Sequence, residues 1–271
     1  MQKHGLIINA DDFGLHPRVN AAVERAYTCG VLTSASLMVA GPAAAQAVAI
    51  ARALPGLRVG LHIVLVDGVA VLPPADIPSL VDVHGRFPNA MAREGARFFF
   101  IPRVRRELAR EIRAQFAAFA ATGLTLDHVN THKHFHLHPT VLSLILSIGK
   151  EFGMRAMRFP RERDAPWLLR PWLALTRVRL AISGVAHNSH VVGIRNSGRM
   201  DEASVLAALA QLPGGVVELY FHPAEGMGAI SPSMADYRHA DELAALLSPR
   251  VFAQIERLAL PLGGFTDLMH Q

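Results

Sequence analysis

Two adjacent carboxylates, Asp11 and Asp12, close the short apolar run at the start of the chain, in the string Asn9-Ala10-Asp11-Asp12-Phe13-Gly14. Neighbours on a strand point to opposite faces. At a strand end the chain turns, so one carboxylate can hold a metal while the other reaches the water on it. The same pair reads equally well as the N-terminal cap of a helix. A second concentration of chemistry lies mid-chain, where Asp127-His128-Val129-Asn130-Thr131-His132-Lys133-His134-Phe135-His136-Leu137-His138 gathers five of the 14 histidines. Neutral imidazole suits zinc-like metals. Read as an extended segment, His132, His134, His136 and His138 would share one face and line a cavity together. A mononuclear catalytic centre takes about three protein ligands and keeps one position open, so the remaining histidines become supporting partners or substrate contacts.

Two further histidines end apolar runs: His62 in Gly60-Leu61-His62 and His222 in Tyr220-Phe221-His222-Pro223. Singly, each reads as structural. Together with Asp11, Asp12 and His132 they come from four separated segments, each at or near the carboxyl end of a predicted strand, which is the catalytic edge of a parallel barrel. His16, His84, His187, His190, His239 and His270 lack that context. Cys29, the single cysteine, cannot form an internal disulfide and reads as a buried, inert thiol in a helix. A serine hydrolase is disfavoured, because no G-x-S-x-G elbow is present and neither Ser34 nor Ser36 has an evident base.

The elements that must position these groups alternate. Leu6 to Asn9, Thr33 to Val39, Arg58 to Leu65, Thr125 to Thr131, Arg155 to Phe159, Val191 to Ile194 and Val216 to Phe221 read as strands, with an eighth candidate at Leu260 to Phe265. Pro17 opens a helix with Val19, Ala22, Val23 and Ala26 on one face and Gly30 closing it. From Val104 to Ala121, Val104, Leu108, Ile112, Phe116 and Phe119 form an inner stripe, with Arg105, Arg106, Glu107, Arg110 and Glu111 opposite. The expectation is an α/β fold, an irregular (β/α) barrel of the TIM type, in one domain over residues 1–271. Residues 66–102, rich in Pro, Gly and Phe, and 160–190, rich in Trp, Leu and Arg, break the repeat and read as insertions over the barrel mouth.

Composition fits a globular chain: 51% of residues are hydrophobic and 18% charged, enough apolar surface for a core. The net charge is +5 and 24 of the 27 basic residues are arginine, which suits anionic headgroups or phosphates. Nucleic acid is not expected, since no binding motif or aromatic-interleaved basic run is present. The start of the chain has no signal-peptide pattern, and the apolar stretch from Trp167 to Ile182 is interrupted by Arg170, Pro171, Arg177 and Arg179. A cytoplasmic protein is expected, with peripheral contact at the inner membrane surface as an option.

Through NADDFG, LTSASLMVAGPAA, GLHIVLVDG, DHVNTHKHFHLHP and YFHPA the chain resembles the YdjC-like carbohydrate deacetylases, and within them the hopanoid-biosynthesis-associated branch. The resemblance spans most of the chain. It implies a polysaccharide-deacetylase-like barrel and one divalent ion, Zn2+ or Mg2+, held by Asp12, His62 and His132. It makes Asp11 the catalytic base and His222 the general acid. His134, His136, Arg158, Trp167 and Trp172 are the candidates for substrate contact. The implied reaction is hydrolysis of the acetamide of an N-acetylglucosaminyl hopanoid, with a soluble amino-sugar oligomer as the alternative. Asn130 and Lys133 stand where some chitooligosaccharide-active relatives carry Asp and His, a departure that bears on the substrate. Other metal-dependent amidohydrolases or phosphoesterases use similar ligands, and a histidine-rich metal carrier is the non-enzymatic alternative.

Overall fold

A computed structural model describes residues 4–269. In chain order the elements are β1 (Gly5–Phe13), α1 (Pro17–Cys29), β2 (Ser34–Leu37), α2 (Ala44–Ala53), β3 (Arg58–Ile63), α3 (Met91–Phe100), α4 (Pro102–Ala121), β4 (Val129–Thr131), α5 (Pro139–Glu151), α6 (Arg170–Ile182), β5 (His190–Val192), α7 (Glu202–Ala210), β6 (Val216–Phe221), α8 (His239–Leu246), α9 (Pro249–Leu258) and α10 (Phe265–Met269). The six strands form one sheet in the order β4-β3-β2-β1-β6-β5, and every pairing is parallel.

The sheet curls into an irregular barrel, as the alternation of strands and helices predicts. Of the seven strand candidates, Arg155 to Phe159 is not a strand. It makes only isolated bridges, Val129 with Met157 and Ala156 with Ala186, and these join the two edges of the curled sheet. Asn188 completes the junction with its side chain, accepting from Phe159 N at 2.7 Å and donating to Phe159 O at 3.0 Å. The eighth candidate is likewise reduced to a single bridge, Leu6 with Leu262. β1 is wholly buried, because strands covered on both faces have no polar side to present. β3 contains Gly60 for a steric reason: a Cβ there would fall 2.5 Å from the ring of His128 on the neighbouring strand.

α1 and α4 follow the expected apolar stripes. The charged side of α4 does not. Glu107 and Glu111 are buried, and they hold the long connection after β3: Glu111 accepts from Val71 N and Leu72 N, and Glu107 from Ser79 N. Gln115 adds a pair of bonds to the backbone of Val64. The spacing places these carboxylates opposite the apolar stripe, and the sequence does not show the loop whose N–H groups they satisfy. Cys29 is exposed, which corrects the expectation of a buried thiol. No helix among the described residues is long and apolar enough to cross a membrane.

Candidate active site

Asp12 sits at the carboxyl end of β1 with φ of 64°, and the register against β2 slips between Ala10 and Phe13. This bulge turns two consecutive carboxylates toward the same rim, which an ordinary strand could not do. β3 and β4 pair His62 directly with Asn130, and His132 follows immediately on β4. The result is a near-equilateral triangle of donors: Asp12 Oδ1 to His62 Nε2 is 3.4 Å, Asp12 Oδ1 to His132 Nδ1 is 3.3 Å, and His62 Nε2 to His132 Nδ1 is 3.4 Å. All three residues are buried.

Both carboxylate oxygens of Asp12 are buried without a well-aligned hydrogen bond, the two imidazole nitrogens of the triangle being the polar neighbours of Oδ1. Unpaired buried carboxylate oxygens are costly, and a cation at the centre of the triangle satisfies them. The chemistry of the set agrees, since two imidazoles and a carboxylate form a recurrent three-ligand metal centre. His62 Nδ1 lies 2.6 Å from Asn130 Oδ1, so Nδ1 donates and the Nε2 lone pair is free to face the triangle. Asp12, His62 and His132 could therefore hold a metal ion, as the resemblance implied.

Asp11 lies beside the triangle in a different setting. Its Oδ1 accepts from Asn9 Nδ2 at 2.9 Å, Asn130 Nδ2 at 3.1 Å and Arg158 Nη2 at 2.9 Å, and its Oδ2 accepts from Arg158 Nη1 at 2.6 Å. Burial opposes ionisation, but the Arg158 guanidinium and then His62 hold the Asp11 carboxyl well below the usual carboxylate range. Oδ2 retains one lone-pair direction for a proton. Asn9 and Asn130 also donate to Ser36 Oγ, and Ser36 Oγ lies 2.9 Å from His128 Nε2, whose Nδ1 is 2.9 Å from Asp127.

Ser36 therefore does have an imidazole and a carboxylate in line with it, contrary to the sequence reading. All three are buried and none lines the cleft, so the array braces the barrel interior and attacks nothing. Asn9, Ser36 and Asn130 are the supporting residues that sequence reasoning missed. Their signal is present only as small polar residues inside otherwise apolar strands.

The cleft, of about 290 Å³, is lined by Asp11, His62, His132, His134, Tyr220, His222 and Tyr237 among others. His222 reaches it from the end of β6. Burial pushes its imidazole down to about 4, and its Nδ1 has no partner. His134 belongs to the cleft wall too, but not by strand alternation. β4 ends at Thr131, and the histidine block turns through a 3-10 segment with Lys133 and His134 at φ of 55° and 53°. His132 then faces the triangle, His134 lines the cleft, and His138 lines a second hollow. His136 is fully buried, with Nδ1 2.7 Å from Thr131 Oγ1.

Arg158 is fully buried and gives its hydrogen bonds to Asp11 and Glu218. The structure thus places it behind the base candidate instead of against a substrate. Trp172 lines the second hollow, and Trp167 is 73% exposed. His270 lies outside the described residues.

That second hollow is a groove of about 760 Å³ between α3, the histidine turn and α6, lined mainly by Met91, Phe99, Phe100, Phe135, Leu137, Leu169, Trp172 and Leu173. It shares Met91, Lys133 and His134 with the cleft. Groove and cleft are neighbours across these three side chains.

A curled parallel sheet with a two-histidine, one-aspartate triangle at its carboxyl rim defines an α/β-barrel protein with a candidate mononuclear metal centre. Residues 5–257 match the family described as YdjC-like protein, and the chain belongs to that family. A carbohydrate deacetylase of Brevibacillus brevis is 41% identical over 155 residues, 57% of this chain and 59% of that protein. The match thus spans about three-fifths of that relative's length. A chitooligosaccharide deacetylase of Serratia marcescens is 33% identical over 268 residues, covering 97% of this chain and 98% of the other. Among solved structures, a protein of Enterococcus faecalis described as a candidate cellobiose-phosphate cleavage protein superposes with a TM-score of 0.79 at 25% identity, over 98% of this chain and 99% of that one.

Proposed function

We propose that this protein is a metal-dependent N-deacetylase that hydrolyses the acetamide of an N-acetylglucosaminyl hopanoid, releasing acetate and a glucosaminyl product. Deacetylation rests on the relatives and on the donor triangle beside an ionised carboxylate. The lipid-linked substrate rests on one observation, the large apolar groove that adjoins the cleft at His134. A cleft of about 290 Å³ suits a sugar ring with its acetamide, and the adjoining aromatic groove suits an apolar body of polycyclic-lipid size.

Two imidazoles and one carboxylate, the residues that would hold the ion, are a ligand set that suits zinc. When bound, the ion polarises the amide carbonyl and makes water acidic enough to attack near neutral pH. Asp11 takes a proton from the attacking water on Oδ2, while Arg158 keeps the carboxylate aimed and ionised. His222 is neutral in the free cleft, so the proton it hands to the departing nitrogen is the one Asp11 took from the water, passed on to His222 before the C–N bond breaks. Tyr220 and Tyr237 line the cleft on either side of the His222 ring.

The test is acetate release from N-acetylglucosaminyl bacteriohopanetetrol and from N,N′-diacetylchitobiose, with metal-stripped protein and after zinc or magnesium is restored. Zinc-dependent release from the hopanoid supports the proposal. Release from chitobiose alone keeps the chemistry and discards the lipid, the outcome that the full-length similarity to the Serratia marcescens protein favours. No release from either overturns the deacetylase reading.

A further inference from the structure

The exposed large hydrophobic side chains are unevenly placed. Ten of them fall in two segments, Phe99, Phe100 and Ile101 at the end of α3, and Trp167, Leu168, Leu169, Trp172, Leu175, Val178 and Ile182 in and before α6. Phe100 is 76% exposed and Ile182 81%. α6 is apolar on two sides. Leu173, Thr176 and Leu180 face inward and are buried, while Trp172, Leu175, Val178 and Ile182 recur at helical spacing on the outside and stay 45–81% exposed. An outward stripe of this kind on a solvated helix marks a contact surface. The two segments meet at the groove, whose lining includes Phe99, Phe100, Leu169 and Trp172.

Charge identifies what covers the stripe. Arg106, Arg163, Arg170 and Arg177 are exposed in these segments or beside them, and none forms an ion pair among the described residues. Glu162, one of the two acids between residues 161 and 182, is occupied by the backbone N–H groups of Gly193 and Ile194. Tryptophan and leucine flanked by unpaired arginine is the composition of a helix that lies in the headgroup region of an anionic bilayer.

We infer that the α3 tip and the outer face of α6 dock on an anionic phospholipid surface, with the groove mouth toward the membrane, so that an apolar aglycone enters the groove from the bilayer; the entry route rests on the lipid-linked reading above. Docking needs only phospholipid, whereas turnover needs the substrate, and the two are separable.

Zinc-loaded full-length protein is sedimented with vesicles of phosphatidylglycerol and phosphatidylcholine, and with phosphatidylcholine alone, none containing hopanoid. The expected result is binding to the anionic vesicles that weakens with added salt. The Arg170→Gln, Arg177→Gln double variant should bind roughly thirtyfold more weakly and still hydrolyse substrate presented in detergent at the parental rate. Binding to neither vesicle overturns the inference, even if hopanoid in detergent is hydrolysed. Equal binding to both overturns the anionic partner. A concentration-dependent dimer that the Ile182→Ser variant abolishes, without vesicle binding, assigns the face to a second copy instead.

Discussion

Arg158 and Asp11 face each other as a two-pronged ion pair, Nη1 to Oδ2 at 2.6 Å and Nη2 to Oδ1 at 2.9 Å, in a position closed to solvent. The same guanidinium lies 2.6 Å from Glu218. One cation thus serves two buried carboxylates, and its loss strands both. Arg158→Met should cost roughly 3–5 kcal/mol of unfolding free energy, the usual range when one partner of a buried pair is removed. Arg158→Lys keeps the charge but not the fork, so it should retain more stability and still turn over slowly. Urea unfolding with steady-state kinetics on both variants checks this; parental turnover in Arg158→Lys would refute the aiming role.

Asn130 holds His62 in the tautomer that leaves Nε2 free. Asn130→Ala should weaken zinc affinity by roughly 10- to 100-fold, the common effect of removing such a support. Competition against a colorimetric chelator measures it. Unaltered affinity would mean that the ring is fixed by packing alone.

Asp11 and His132 should separate metal binding from turnover. Asp11→Asn is expected to keep zinc after dialysis and lose most activity, while His132→Ala loses both. Elemental analysis of the dialysed proteins gives the metal content directly, and activity persisting in either variant would count against the assigned roles.

Asp127 caps α10, accepting from Phe265 N at 3.0 Å and Thr266 N at 2.9 Å, and also binds His128. Burial opposes its ionisation, but His128 and these donors bring its carboxyl down to about 2 from 3.8. A depressed acid stabilises the fold above its unfolded value and loses that contribution as pH falls through the folded value. The expected loss is on the order of 2 kcal/mol between about pH 4 and pH 2. Asp127→Asn should be less stable by about that amount at neutral pH, and its stability should converge with the parent's near pH 2. Urea midpoints across the acid range test it; parallel curves would exclude the linkage.

Trp172 walls the groove and lies outside the cleft lining. Trp172→Ala should raise KM for the hopanoid substrate at least about tenfold, the scale of losing a buried aromatic contact, and leave chitobiose kinetics unchanged. An equal effect on both substrates would place the tryptophan's role in folding.

The rim residues were legible because Asp11, Asp12, His62 and His222 end apolar runs and His132 opens a crowded histidine block, and parallel strands bring such ends together. What misled was local geometry. The histidine block alternates in sequence but not in space, because Lys133 and His134 adopt left-handed backbone that nothing in their side chains announces. Arg155 to Phe159 has strand composition yet makes only bridges, and Arg158 within it turns to two acids that are distant in sequence. Phe99, Phe100 and Ile101 fall in the segment read as an insertion over the barrel mouth, and their exposure is not legible there because it depends on which neighbours fold over them.

The paired left-handed residues also limit how this protein could be adapted. Lys133 and His134 are the hinge between the chemistry and the groove, and each holds a conformation that β-branched residues resist and glycine or asparagine tolerate. Few replacements there would preserve the path of His132. On the proposed reading of the groove, lineages or libraries that change the bound apolar group should therefore vary at α3 and α6 and keep the turn fixed.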